Sequence, residues 1–402
     1  MQNVAAVSMH DFADLQPIAL KPNGIILKVN EPAFAMKKIK ALVESSFRYL
    51  LDYKKNKDFS ERLGEQHIPT FAFHFAKWKR PLLNEWFPER RFRFYPLNMA
   101  EFEQRRLLIF IQSLPRAEIM VWSRNRINMF DKLTNKIWYV EDGFIRSIQL
   151  GALHTPPISL TIDSKTPYFD CFQPSDLEDL LNRYDFDQHI DLIDRAGLLI
   201  EKMLTLGISK YNHVAEINKN SLYKNKTRKR VLVIGQVESD ASIKYGCRTP
   251  TNNNDLIRIA AKENPDAEII YKPHPDIFHG HRKNISSPQE VKNLCHILEH
   301  DIPMAQAFDT IDHVYTITSL AGFEAIIRGI KVTTLGSPFY AGWGLTDDRQ
   351  LTPRRTRYLT KEQLFAGALM LYPKYFNYQA KREIGLDEAL DLIDSLKHQR
   401  YE

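Results

Sequence analysis

The sequence predicts an α/β protein made of two facing Rossmann-like domains with an interdomain cleft. Three observations carry this expectation. Short apolar runs alternate with helical patterns through the second half, as in a parallel sheet covered on both faces. The chain has 402 residues, more than one typical core accommodates. Polar clusters also fall at the ends of the apolar runs, which is where such sheets bind ligands.

Taken in order, the first half is the less regular. The segments "FAMKKIKALVESSFRYLLDYK" and "MAEFEQRRLLIFIQSL" have helical spacing, while "AEIMVWS" and "KIWYV" read as strands that end in polar loops. Between them the basic, aromatic stretch "KWKRPLLNEWFPERRFRFYP" (77–96) interrupts the pattern. It reads as a solvated loop, or as a face toward a lipid-linked acceptor, because basic and aromatic residues suit an anionic interface. A helical region from Pro174 to about Tyr211 joins the halves, with "NKNSLYKNKTRKR" as the boundary loop. The domains are accordingly set at 1–215 and 216–402.

The second half is plainer. "RVLVIGQ" is a strand, and "NNNDLIRIAAKENP" is a helix stopped at Asn264-Pro265. Strand "AEIIYKPHP", helix "SPQEVKNLCHILEH", strand "DHVYTITS", helix "LAGFEAIIRGI" and strand "KVTTLGS" follow. The amphipathic "LDEALDLIDSLKHQ" is expected to close the chain by packing back on the first domain.

Bulk properties exclude several classes. The composition, 44% hydrophobic and 26% charged, is that of a soluble globular chain. The net charge of +6 favours anionic ligands but is too diffuse to indicate nucleic acid. Cys171, Cys247 and Cys295 lack CxxC spacing, so neither a disulfide framework nor a zinc site is indicated, and a reducing compartment fits. The start "MQNVAAVSMHDFADL" has no signal-peptide pattern, and no stretch approaches the roughly 18 apolar residues of a membrane span. The expected location is the cytoplasm, with the inner face of the inner membrane as the place of any peripheral association.

Four clusters should face the cleft. Glu141 and Asp142 end the strand "IWYV", where two adjacent carboxylates would be costly if buried unpaired. Gln236, Ser239 and Asp240 follow the first strand of the second half. Lys272, His274 and Pro275 lie in "KPHPD", where two prolines fix the direction of a histidine able to donate to, or protonate, a phosphate. Thr318 and Ser319 stand at a strand end and helix start that suit a phosphate, or serve only as its cap. Glu324, five residues on from Ser319, can reach ribose hydroxyls or pair with Arg328. GxGxxG and Walker patterns are absent and no DxD metal clamp is read, "TDDR" (346–349) being a weak substitute, so no metal is expected; protein donors must then neutralise the leaving group, which suits a nucleoside monophosphate.

"EDGFIRS", "GQVESDAS", "KPHPD", "TSLAGFEAIIRG", "PFYAGWGLTDD" and "RRTRYLTKEQLFAGALMLYPKY", in this order over about residues 137–375, resemble the bacterial β-Kdo transferases of capsule-linker synthesis (KpsC type) and their O-antigen relatives (WbbB type). The layout is also similar to that of bacterial sialyltransferases, which use CMP-activated keto-acid sugars on a GT-B fold. The resemblance implies a GT-B-like architecture, CMP-β-Kdo as donor, a glycan or lipid-linked glycan as acceptor, and transfer with retention. Retention by double displacement requires a carboxylate nucleophile and an acid/base group. Asp240 is assigned as nucleophile and Glu141 as acid/base, with Asp142 in support; the reverse assignment is the alternative.

The donor's own carboxylate needs a cation, for which Arg146 is the first candidate and Lys244 the second; Arg146 can equally be a salt bridge to Asp142. Tyr340 and Trp343 suit stacking on cytosine or a sugar, or anchoring of their loop. The capsule enzymes carry two such modules and this chain has the length of one, so it is a single-module enzyme or an excised module. Two other functions compete: an inverting transferase of another CMP-keto sugar, and a non-catalytic nucleotide- or glycan-binding module.

Overall fold

The computed structural model describes residues 54–402, apart from 62–65, 125–128, 131–132, 151–152, 213, 215–222, 224, 284 and 402. The helix expected over 34–54 lies almost wholly outside these residues, and so does the first part of the boundary loop.

Two sheets organise the described chain, each with a Rossmann-like parallel core. The first holds β1 (Ile68–Phe73), β2 (Arg90–Phe94), β3 (Glu118–Trp122), β4 (Ile137–Asp142) and β5 (Ser159–Asp163). The second holds β6 (Arg230–Ile234), β7 (Glu268–Lys272), β8 (His296–Ile297), β9 (His313–Thr316), β10 (Lys331–Thr334) and β11 (Asp347–Asp348). All six pair in parallel, in the order β11-β10-β9-β6-β7-β8. This is a doubly wound order whose direction reverses between β6 and β9, the place where such sheets bind ligands. Every residue of β6 is buried, which is why it reads as an unbroken apolar run.

After β11 the chain returns to the first sheet. β12 (Lys374–Asn377) and β13 (Arg382–Ile384) form a hairpin whose first strand pairs antiparallel to β5, giving the order β13-β12-β5-β4-β3-β1-β2. Residues placed with the second domain by sequence thus extend the first sheet. The connecting region contains two helices, α3 (Asp176–Arg183) and α4 (Ile190–Thr205), preceded in the first lobe by α1 (Arg80–Trp86) and α2 (Glu101–Gln112). In the second lobe α5 (Ala241–Gly246), α6 (Asn253–Glu263) and α7 (Leu320–Ile326) each start at a polar cap: Asp240, Asn252 and Ser319 accept a backbone N–H two or three residues on. Then come α8 (Lys361–Phe365), continued as a π-turn, and α9 (Leu386–Tyr401). Lys202 of α4 holds Asp391 of α9 at 2.7 Å.

Two expectations are corrected. Residues 77–96 are not a loop: they form a 3-10 turn, α1 and β2, with Leu83, Trp86 and Phe87 buried while Lys77, Glu85 and Arg91 stay exposed. Arg90 is buried as well, paired with Glu118 at 2.8 Å. The helix expected over "SPQEVKNLCHILEH" is a 3-10 turn (Pro288–Val291) followed by β8, because the open edge of β7 takes His296 and Ile297 into backbone pairing. Sheet pairing there overrides the helical spacing. All three cysteines are free. Among the described residues no helix is long and apolar enough to cross a membrane.

Candidate active site

A cavity of about 940 Å³ opens between the two lobes, at the carboxyl ends of β4, β6, β7 and β9. This is the size of a small-molecule site. All four expected clusters line it: Glu141 and Asp142; Gln236, Ser239 and Asp240; Lys272, His274 and Pro275; Thr318, Ser319 and Glu324.

The acidic pair is built by a close approach of β4 and β5. A Cβ on Gly143 would stand 2.1 Å from the Ser159 hydroxyl, so only glycine lets the chain turn directly after Asp142. Asp142 accepts from Lys79 at 3.1 Å through one oxygen and from Arg146 at 2.8 Å through the other. Burial tends to raise its pKa, but Lys79 and Arg146 outweigh this and hold it below the usual carboxylate range. Glu141 has the opposite fate. Burial, then the charge of Asp142, push its pKa up, against the pull of Lys79 and the bonds from the Asp142 N–H (2.9 Å) and Ser123. One carboxylate is kept ionised and its neighbour is inclined to hold a proton, the division of labour an acid/base site needs.

On the second lobe, the loop after β6 is held across the switch point. The Gln236 amide donates to the Thr318 hydroxyl at 3.1 Å and accepts the Thr318 N–H at 2.8 Å. Asn253 holds the backbone of Gln236 by two bonds of 2.9 Å. Asp240 uses one oxygen to cap α5 through Ser242 N–H at 2.8 Å; its other oxygen takes no hydrogen bond among the described residues. Lys272 is only 5% exposed and sits 3.4 Å from Asp301; burial lowers its pKa against the pull of that carboxylate.

His274 starts the turn Pro275–Phe278, and its Nδ1 accepts the Asp276 N–H at 3.1 Å. Burial lowers its pKa to about 4, so near pH 7 the ring is neutral and carries its proton on Nε2. Glu324 is 3% exposed, with one oxygen lacking a hydrogen-bond partner among the described residues and the other 3.4 Å from Lys210 N–H. Burial raises its pKa to about 7. The start of α7 has fewer open donors than a bare helix end: the Thr318 N–H goes to Gln236, the Ser319 N–H to Thr316 and the Ala321 N–H to Ser319. The hydroxyls of Thr318 and Ser319 are what it offers.

Four expected residues do not face the cavity. Tyr340 and Trp343 are fully buried: Tyr340 donates to the Ser319 carbonyl against Gly322, and Trp343 donates to the Phe339 carbonyl at 2.8 Å. They anchor their loop rather than stack on a ligand, because their rings fill the core beneath α7. Arg146 is fully buried behind Asp142 and outside the cavity lining. Lys244 lies on the exposed side of α5. Two cations that spacing did not single out take part instead. Lys79, within the stretch first read as an interface, stands 3.1 Å over the Trp122 ring and holds Asp142. Lys210, in a segment without a motif, lines the cavity. Among the described residues, no group of three or more His, Cys, Asp or Glu side chains is arranged to hold a metal ion.

Comparison with known proteins agrees with this architecture. Residues 198–380 match the family described as "Capsule polysaccharide biosynthesis protein". The lipopolysaccharide-processing protein LpsZ of Rhizobium meliloti is 45% identical over 316 residues, 78% of this chain and 71% of that protein. The capsule polysaccharide modification protein LipA of Neisseria meningitidis serogroup B is 36% identical over 352 residues, 86% of this chain and 47% of LipA, so the chain spans about half of that relative. A solved structure of Thermosulfurimonas dismutans KpsC, a beta Kdo 2,7 transferase, is 32% identical with a TM-score of 0.66, covering 82% of this chain and 99% of that one. The two facing Rossmann-like lobes are thus a GT-B-like fold, and the chain belongs to the family of capsule polysaccharide biosynthesis proteins.

Proposed function

We propose that the protein is a retaining β-Kdo transferase that moves Kdo from CMP-β-Kdo to a glycan or lipid-linked glycan during surface polysaccharide synthesis. The supporting observation is that Asp240 on one lobe and the Glu141–Asp142 pair on the other line a single cavity, which also holds Lys272, His274, Thr318, Ser319 and Glu324. The likeness to KpsC supports the choice of sugar.

In this reading CMP lies against the second lobe. Glu324 accepts from the ribose hydroxyls; Lys272, the Nε2–H of His274 and the hydroxyls of Thr318 and Ser319 take the phosphate. The oxygen of Asp240 that caps nothing attacks the anomeric carbon. The bond from that carbon to the phosphate oxygen breaks, and its electron pair stays on CMP, where neutral His274 donates a hydrogen bond without surrendering its proton. The acceptor hydroxyl then attacks the same carbon and Asp240 leaves as carboxylate. Glu141 takes the hydroxyl proton, acting in its ionised form once its own proton has been released to solvent. Asp142, pinned between Lys79 and Arg146, keeps Glu141 basic. Phosphate and acceptor are handled by protein groups, and this reading requires no metal.

The test is intact-protein mass spectrometry after incubation with freshly generated CMP-β-Kdo, followed by peptide mapping. A Kdo-sized adduct on Asp240 is the expected result, with Asp240→Ala forming none and losing transfer by about 10³-fold or more. An adduct on Glu141 or Asp142 reverses the assignment. Product of inverted configuration, formed without an adduct, sinks the retaining mechanism. CMP bound without turnover leaves a binding module.

A further inference from the structure

Two carboxylates, Asp142 and Asp240, approach the cavity from opposite lobes. A keto-acid donor adds a further carboxylate, attached to the carbon that reacts, to a cavity that Glu141, Asp276, Asp301 and Glu324 also line. Bringing that carboxylate between two others out of water is unfavourable unless a cation receives it. The cations of the site therefore decide where it can go.

Most are already committed. Arg146 and Lys79 both hold Asp142, and neither lines the cavity. Lys272 is paired with Asp301, and Lys397 donates to the Leu206 carbonyl at 2.6 Å. Arg282 lies on the exposed rim. Lys210 differs from all of these. It lines the cavity, yet among the described residues it has neither an ion pair within 4.0 Å nor a side-chain hydrogen bond.

The root of Lys210 is fixed from both lobes. Its carbonyl accepts the Arg146 N–H at 3.2 Å and the Ser147 N–H at 3.4 Å, and its own N–H reaches Glu324 at 3.4 Å. Burial acts to lower its pKa, but Tyr211, Tyr168, Asp142 and Asp240 together raise it above the ordinary lysine value, so it stays charged at any working pH. A fixed, charged ammonium that lies 5.6 Å from the Tyr211 ring, feels the charges of Asp142 and Asp240, and has no ion pair among the described residues is suited to receive an anion.

We propose that Lys210 receives the carboxylate on the anomeric carbon of the donor sugar, and so selects keto-acid donors over sugars that lack this group. The inference rests on the CMP-keto-sugar reading above. It assigns to Lys210 the task that sequence reasoning gave to Arg146 and Lys244.

The experiment compares CMP with CMP-β-Kdo by titration calorimetry, without acceptor, on an Asp240→Asn parent protein, which cannot form the covalent adduct, and on that protein carrying Lys210→Met or Lys210→Arg. Loss of a charge-assisted hydrogen bond corresponds to about 10- to 100-fold in affinity. Lys210→Met should show that loss for CMP-β-Kdo while binding CMP within about twofold of the parent. Retained CMP binding also reports that the variant is folded. Lys210→Arg should recover most of the affinity for CMP-β-Kdo. Equal weakening of both ligands, or of neither, overturns the assignment and leaves the transferase reading standing. A parent protein that binds CMP but not CMP-β-Kdo removes both together, and that result precedes any variant.

Discussion

The pair Glu141–Asp142 shows how much two neighbouring charges can decide. The two residues are adjacent in sequence and share one cavity wall, yet their pKa values move apart because Lys79 and Arg146 both contact Asp142. Lys79 lowers the pKa of both carboxylates, so removing it must raise both. With Glu141 required in its ionised form, Lys79→Met should move the acidic limb of the pH–rate profile to higher pH; an unmoved limb excludes the coupling. Glu324 gives a second prediction, on stability. Its pKa is about 7 in the folded protein against an ordinary value of 4.5, so the folded state binds more protons between those values and stability falls as pH rises through that window. Glu324→Gln, neutral throughout, should match the parent near pH 5 and exceed it by on the order of 3 kcal/mol near pH 8, while binding CMP less tightly. Denaturant titrations at the two pH values decide this. At this scale the carboxylates, His274 and Lys272 were legible because each sits at a strand end within a recognisable string. Tyr340 and Trp343 stayed between two roles because aromatic rings beside glycines look alike whether they stack on a ligand or on a core.

Secondary-structure elements position these groups through a few close approaches. The turn after β4 depends on Gly143 lying against Ser159, to whose carbonyl its N–H also donates at 2.9 Å. Gly143→Ala forces β4 and β5 apart at the point that carries Glu141 and Asp142. The expected cost is about 1–3 kcal/mol of stability together with most of the activity. Thermal unfolding and a transfer assay on the same preparation check it; normal activity would show that the turn has slack. Parallel strands buried on both faces were readable as continuous apolar runs, and their carboxyl ends located the site. The segments that failed, 77–96 and 288–297, are ones in which an edge pairing or a core contact formed elsewhere in the chain overrode local spacing.

At the scale of the whole molecule, the connecting helices and the second lobe are tied by charge as well as by apolar packing. Glu178 of α3 accepts from Arg354 at 2.5 Å and from Arg355 at 3.1 Å. Arg355 in turn donates to the carbonyls of Pro338 (2.5 Å) and Ala341 (2.6 Å), which fixes the loop holding Phe339 at the cavity wall. Glu178→Ala strands a buried guanidinium and should cost about 3–5 kcal/mol. Glu178→Gln, which keeps acceptor capacity for one of them, should cost less. Equal melting temperatures for Glu178→Ala and the parent protein would show the pair to be dispensable.

By itself the sequence determined the α/β class, the alternation that builds the second sheet, and the four polar clusters at strand ends. These are local properties: periodicity, caps and turns leave their mark within about ten residues. The tertiary structure decided which cations meet those clusters, which aromatic rings are core, and that the chain returns to complete the first sheet. Such matters depend on pairs far apart in the chain, such as Lys79 with Asp142, Gln236 with Thr318 and β12 with β5. Contacts of that kind leave no spacing to read, because folding alone brings their partners within reach.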